Sequence, residues 1–313
     1  MDGLIGLDWG TTRLRAYRFD GAGRVQDTRT RPWGIRSLPA GGYEAALADV
    51  TAGWPALPRL ACGMVGSRGG WLEAPYVDLP AGADALCAAV RRLRAADGMD
   101  LHIVPGLRNP TAPDVMRGEE TQLLGAVAQR PASAARSAWI LPGTHSKWAT
   151  VEGRAVTGFR TYLTGELYAL LREHSILGAG IAEAVSPAAF ARGVDAARDS
   201  GAQGATSRLF ATRALMLEGA LAPAEVPDYL SGLLIGEEFR SALAGGLPPP
   251  GEAPGLIGEP ALCERYRQAA ARFGLALAPP VADAAALGLW HVAGRIGLVH
   301  DRGRPASEES SPC

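Results

Sequence analysis

Leu4, Ile5 and Leu7 form a short apolar run suited to a buried strand. Arg13-Leu14-Arg15-Ala16-Tyr17-Arg18-Phe19 then alternates polar with apolar residues, the period of a second strand. Residues 4–30 therefore predict two or three antiparallel strands. Tyr43, Ala46, Leu47 and Val50 recur at helical spacing and predict a helix over 42–53. A buried strand is expected over 59–65, a Gly- and Pro-rich loop over 66–80, a helix over 83–96 and a strand over 101–107. A loop over 109–118 leads to a helix over 118–130, with two acids in its first turn where the macrodipole favours them. Pro131 and the small residues up to Ser137 mark the best boundary. Beyond it, residues 138–156 repeat the order strand, Gly-Thr turn, strand. Helices follow over 165–173, 187–198, 206–220 and 226–244, then a strand, Gly turn and helix over 255–274, and a last apolar helix over 281–297. The polar stretch 302–313 predicts a disordered tail. The pattern is that of an α/β protein in two halves, 1–132 and 133–301, each led by a β-hairpin.

Composition narrows the partners. The chain has 313 residues, 47% of them apolar, and a net charge of −1. That balance, without a basic stripe interleaved with aromatics, argues against nucleic acid as the main partner. No run of 18 apolar residues occurs, so no membrane span is expected. The N-terminus enters a strand without a basic stretch, and Cys62, Cys87, Cys263 and Cys313 lack C-x-x-C spacing. Both observations fit a reducing cytoplasm. His102, His145, His174, His291 and His300 show no metal-ligand spacing, which argues against structural zinc.

Two segments carry candidate chemistry. Asp8 is followed by Gly10, Thr11 and Thr12 between two strands. Glycine lets backbone approach a polyphosphate, the hydroxyls donate to its oxygens, and the carboxylate suits a magnesium ion. The second segment, ILPGTHSKWATV at 140–151, holds Lys147, the only lysine in the chain. In a chain whose cations are otherwise arginine, a lysine beside a Gly-Thr turn suggests a compact ammonium is needed there. No stretch matches the P-loop pattern.

D-W-G-T-T at 8–12, L-P-G-T-H-S-K-W at 141–148 and G-L-I-G-E-P at 255–260 resemble, in order, the phosphate-1, phosphate-2 and adenosine motifs of the actin/sugar-kinase/Hsp70 superfamily. More narrowly, GMVGSRGGWLEAPYV (63–77), MRGEETQLLGA (116–126), FRTYLTGELYALLREHSIL (159–177) and YLSGLLIGEEFR (229–240) resemble the 2-dehydro-3-deoxygalactonokinase family. The resemblance runs to about residue 300; Gly69 departs from it, standing where a larger polar residue is expected. It implies two duplicated actin-like (ribonuclease H-like) domains, 1–132 and 133–301, with a nucleotide cleft between them. It also implies ATP and Mg2+ as cofactors and a small sugar-acid substrate. The activity implied is phosphorylation of the terminal hydroxyl of 2-dehydro-3-deoxy-D-galactonate.

Carried onto this chain, the resemblance gives Gly10, Thr11 and Thr12 to the β/γ-phosphates from one lobe, and Gly143, Thr144, His145 and Ser146 from the other. Asp8 becomes the magnesium-side carboxylate, and Lys147 a cation for a phosphate or for the substrate carboxylate. Glu119 or Glu120 is the base for the attacking hydroxyl; alignment on Gly118 selects the first and alignment on Leu123 the second. Ser67, Arg68 and Trp71 in the G-S-R-G-G-W loop, with Arg160, are the sugar-acid candidates. Gly255 and Gly258 would let adenine lie against backbone, and Thr164 is expected to cap the helix that follows it. The competing readings are a phosphohydrolase of the same superfamily and a non-enzymatic ATP-gated binding protein.

Overall fold

The computed structural model describes residues 3–182 and 184–299; the expected tail at 302–313 lies outside the described residues. The chain divides into two compact units. Among the described residues, the first holds 3–135, Gly153–Thr157 and 283–299; the second holds Arg136–Glu152 and the described residues of Gly158–Ala282.

In the first unit β1 (Gly3–Trp9), β2 (Leu14–Asp20) and β3 (Val25–Arg31) form an antiparallel meander. Helix α1 (Gly42–Val50) then carries the chain to β4 (Arg59–Cys62), which pairs parallel with β1. A small sheet of β5 (Tyr76–Asp78), β8 (Gly106–Asn109) and β9 (Asp114–Met116) stands apart from this main sheet. Helix α2 (Ala83–Ala88), β6 (Arg91–Arg94) and β7 (Asp100–Ile103) lie between β5 and β8, and α3 (Glu119–Gln129) follows β9. The main sheet has the order β3-β2-β1-β4-β7-β6.

Strand β1 is buried on both faces. Ile5, Leu7 and Trp9 pack in the core with Ala46, Leu47 and Val50 of α1. Leu4, Gly6 and Asp8 share the opposite face by the two-residue period of a strand.

The second unit repeats the arrangement. β10 (Arg136–Leu141), β11 (Ser146–Glu152), β12 (Ala155–Tyr162) and β13 (Gly255–Leu256) form a sheet of order β12-β11-β10-β13. Again a hairpin is followed by a strand parallel to its first member. The crossover here is much longer. It contains α4 (Thr164–His174), α5 (Pro187–Arg198), α6 (Thr206–Leu209), α7 (Ala211–Leu217) and α8 (Val226–Ala244); α9 (Pro260–Arg272) follows β13. Helices α5 and α8 approach closely because both carry glycine at the crossing: a Cβ on Gly193 would lie 2.1 Å from the Tyr229 carbonyl, and one on Gly232 2.0 Å from that of Phe190.

Several expectations need correction. The helix expected over 83–96 stops at Ala88, and Arg91–Arg94 instead forms an edge strand antiparallel to β7. Leu93 turns inward against the core while the neighbouring arginines stay exposed, the alternation of an edge strand. The strand expected over 101–107 is interrupted at Pro105, which has no N–H for a ladder. The helix expected over 206–220 is two short helices, α6 and α7.

The last helix, α10 (Ala284–Arg295), was expected in the second half, yet it belongs to the first unit. Its backbone meets α3 through two glycines. A Cβ on Gly125 would sit 2.0 Å from the Ala284 carbonyl, and one on Gly288 1.9 Å from the Thr121 carbonyl. Leu289 reaches β1 at Gly6, where a Cβ would be 3.1 Å from it.

Candidate active site

The first cluster forms where β1, β4 and α3 meet. Gly63, just past β4, has φ of 91°, and Gly118, just before α3, has φ of 108°; only glycine adopts such angles readily. A Cβ on Gly63 would lie 2.7 Å from the Trp9 carbonyl, and one on Gly118 3.2 Å from the Gly63 Cα. These close approaches gather Asp8, Cys62, Glu119 and Glu120. The Cys62 thiol lies 4.0 Å from Asp8 Oδ1. Burial pushes the Asp8 carboxyl up to about 6; Arg15, its partner across the β1–β2 ladder, opposes that rise and Glu119 adds to it.

The two glutamates differ. Glu120 is fully buried and both its oxygens are engaged, Oε2 by the Gly118 N–H at 2.7 Å and Oε1 by the Thr121 hydroxyl at 2.9 Å. Burial, with the Glu119 charge beside it, pushes its carboxyl up to about 8. Glu119 is half-buried, and its Oε2 accepts from the Arg117 N–H at 3.0 Å.

Beside Asp8, the Gly10 N–H closes the hairpin on the Arg13 carbonyl at 2.9 Å. The next loop covers its back: Ile35 and Arg36 donate backbone N–H groups to the Gly10 and Thr11 carbonyls, and Trp9 Nε1 donates to the Trp33 carbonyl at 2.8 Å. Gly10 and Thr11 are half-buried, while Thr12 is exposed.

The G-S-R-G-G-W loop leaves the same strand end. Arg68 is exposed, while Ser67 is buried and ties the loop through backbone bonds to Met64 and Gly70. Trp71 stacks on Tyr43 with centroids 5.4 Å apart and meets Trp9 edge-on at 6.0 Å, so one ring face is already occupied. Arg117 braces the loop: it is buried, donates from Nη2 to the Ala74 carbonyl at 2.8 Å, and lies over the Tyr76 ring.

The second cluster surrounds the turn between β10 and β11. Thr144 and His145 are exposed and Gly143 half-buried. His145 Nε2 lies 2.5 Å from Glu166 Oε2, a partner supplied by α4 rather than by the turn itself. The Glu166 N–H donates to the Thr144 carbonyl at 3.0 Å, and a Cβ on Gly165 would be 2.5 Å from the Gly143 carbonyl. Lys147 is buried, with 3% of its surface exposed, and its ammonium donates to the His145 carbonyl at 3.0 Å.

Ser146 is fully buried, and its hydroxyl turns away from the turn to donate to Glu238 at 2.7 Å. Leu163, not Thr164, holds the cap position of α4; the Thr164 hydroxyl also donates to Glu238. Gly258 is exposed beside the Pro142 carbonyl, so the third motif adjoins the turn. Gly255 instead serves packing: a Cβ there would be 2.4 Å from the Trp139 ring. Arg160 is exposed, and its guanidinium lies over Gly245 at the C-terminal end of α8.

Glu238 was not among the sequence candidates. Its partners lie 28 to 92 positions away, so no local spacing marks it. Glu166 was visible in T-G-E-L only as a helix-start acid.

A hairpin followed by a parallel strand in each unit, with a Gly-Thr turn at the strand end, is the α/β fold of actin-like ATPases and sugar kinases. The xylulose kinase of Lactobacillus acidophilus shares that fold at a TM-score of 0.52 and 10% identity, over 96% of this chain and 91% of the other. Residues 8–292 match the family model of 2-keto-3-deoxy-galactonokinase, and the chain belongs to that family. It is 38% identical to the 2-dehydro-3-deoxygalactonokinase of Escherichia coli (strain K12) over 242 residues, covering 76% of this chain and 79% of that one. A crystal structure of a Sinorhizobium meliloti protein assigned as a 2-dehydro-3-deoxygalactonokinase is similar at a TM-score of 0.83 and 36% identity, covering 94% of this chain and 99% of the other. Among the described residues no helix is long and apolar enough to cross a membrane.

Proposed function

We propose that the protein transfers the γ-phosphoryl group of ATP to the terminal hydroxyl of 2-dehydro-3-deoxy-D-galactonate; its Escherichia coli relative is named a 2-dehydro-3-deoxygalactonokinase. The observation that carries the reading is the pairing of Asp8 with Glu119 at the end of β1, beside a Gly-Thr-Thr turn. Phosphoryl transfer needs positioning and charge neutralisation more than covalent chemistry; this cluster offers carboxylates for a cation and for the attacking hydroxyl.

Magnesium fits the donor set. Among the described residues no group of three or more His, Cys, Asp or Glu is arranged to hold a metal. Magnesium is commonly held by one or two carboxylates with substrate phosphates and water completing its shell. Asp8 is the carboxylate for that role, since a cation beside it would offset the burial that raises its carboxyl. The ion would neutralise charge on the transferring phosphoryl group. Glu119 accepts the proton of the attacking hydroxyl, because Glu120 has both oxygens committed to the start of α3. Thr11 and the exposed Thr12 offer phosphate donors in the first unit, with Gly10 allowing close approach of backbone; the exposed residues Thr144 and His145, held by α4, do so in the second, and Lys147 adds positive charge to that turn. Gly258, exposed beside Pro142, remains the adenine-side glycine. Arg68 is the candidate for the substrate carboxylate, since it is exposed on the loop that leaves the Asp8 cluster. The protein is read as a cytoplasmic enzyme of sugar-acid catabolism.

The test is an assay of ADP formation with this sugar acid. Asp8→Asn should lower turnover by about 10²–10³. Near wild-type turnover in that variant would remove Asp8 from the reaction.

A further inference from the structure

Glu238 is a buried acid to which the proposed chemistry gives no part. It sits inside α8 with 2% of its surface exposed, and burial raises its carboxyl above the ordinary value. Against that penalty stand four neutral donors, two to each oxygen. Ser146 Oγ and Trp148 Nε1 donate to Oε1, both at 2.7 Å. Thr164 Oγ1 donates to Oε2 at 2.5 Å and the Tyr266 hydroxyl at 2.6 Å. The Trp148 indole can only donate, which fixes Oε1 as an acceptor, while the three hydroxyls orient to suit the carboxyl group.

The donors come from three different elements, and two of them flank the Gly143–His145 turn. Ser146 and Trp148 are in β11, Ser146 being the residue directly after the turn. Thr164 opens α4, two residues before Glu166. The α4 start touches the turn at three points: Gly165 against the Gly143 carbonyl, the Glu166 N–H on the Thr144 carbonyl, and the Glu166 carboxylate on His145. Tyr266 ties in α9, which follows the exposed Gly258. Packing alone does not require a charge here. Trp148, Phe239 and Tyr266 already form a continuous aromatic contact, with ring centroids 5.1 Å and 5.8 Å apart. What the carboxyl group adds is direction, because four hydrogen bonds converging on one buried group fix the side chains that make them.

We propose that Glu238 is a positioning residue for nucleotide binding: it clamps Ser146 and Thr164 so that the Gly143–His145 turn, which Ser146 follows and the α4 start touches, presents its backbone to the phosphates in one geometry. The inference rests on reading that turn as a phosphate site. Glu238 touches no reactant, so its loss should act on nucleotide affinity before it acts on the sugar acid.

The experiment uses the full-length chain and the variants Glu238→Gln, Thr164→Val and Tyr266→Phe. Glutamine keeps one carbonyl oxygen but puts an amide nitrogen on the other side. Hydroxyls can reverse to accept from that nitrogen while the indole of Trp148 cannot, so the amide faces Thr164 and Tyr266 and turns them away. Steady-state kinetics should show the KM for ATP rising about tenfold or more in Glu238→Gln, with the KM for the sugar acid within about twofold. Thr164→Val and Tyr266→Phe should raise the KM for ATP by about threefold each. Titration with MgADP should show the same ordering of affinities. A lower melting temperature with an unchanged KM for ATP and unchanged MgADP affinity would make Glu238 purely structural and overturn the proposal. Should Glu238→Gln fail to fold, the two single-donor variants apply the same criterion. Should the wild type show no sugar-dependent turnover, the kinase reading fails, and the MgADP titration still decides the role of Glu238.

Discussion

Asp8, Glu119 and Glu120 are three carboxylates in one cluster with different surroundings, and the difference sets what each can do. Glu120 is committed to the N–H of Gly118 and the hydroxyl of Thr121, whereas Glu119 is half-buried. Glu119→Gln should lower kcat by about 10²–10⁴ with little change in the KM for the sugar acid, the signature of a lost proton acceptor. Glu120→Gln should cost markedly less turnover; equal effects from the two variants would contradict the assignment. Glu120 should show itself in stability instead. Burial, with the Glu119 charge beside it, pushes its carboxyl up to about 8 in the folded protein, well above the ordinary glutamate range near 4.5. The folded state therefore holds a proton that the unfolded state has released, and stability drains away as pH rises through that interval. Thermal melts of the wild type and Glu120→Gln without ligand should diverge in favour of the variant from about pH 4.5 to 8 and run parallel above. A gap that does not change with pH would show that Glu120 is ionised in the fold. At this scale the sequence singled out Asp8, the Glu119–Glu120 pair and Lys147 as candidates, from short motifs and a family resemblance. It hid Glu238, whose partners at 146, 148, 164 and 266 are brought together only by tertiary structure.

Long helices between clear boundaries were read well, and elements decided by pairing or contact were not. α5 and α8 run over the expected 187–198 and 226–244 because their patterns are long and bounded. Residues 91–94 became a strand because β7 offers an open edge, which no local pattern in R-R-L-R announces. In the small sheet, the parallel pairing of β5 with β8 likewise joins segments 30 residues apart. The packing of α3 on α10 gives a direct test of how the start of α3 is held. Gly288→Ala would place a Cβ 1.9 Å from the Thr121 carbonyl, next to Glu120. Overpacking of this kind costs about 1–3 kcal/mol, so the melting temperature should fall by several degrees. Turnover should fall as well, because displacing α3 moves Glu119. An unchanged melting temperature would mean the two helices do not meet as described.

On the scale of the whole molecule, each unit is a hairpin joined by a crossover to a parallel strand, and the repeat was legible because both hairpins carry Gly-Thr at the turn. The membership of the last helix was not, since α10 returns to the first unit after the long second segment, and only contacts such as Leu289 on β1 reveal it. The central claim is that these parts serve transfer of a phosphoryl group to a sugar acid rather than to water. The most direct measurement follows ADP, inorganic phosphate and phosphorylated sugar together, with MgATP, in the presence and absence of 2-dehydro-3-deoxy-D-galactonate. The account predicts ADP formed in step with a phosphorylated sugar acid, and only slow ADP formation without it, because an enzyme of this kind must keep water from the phosphoryl group. Release of inorganic phosphate at full rate without the sugar acid would contradict it.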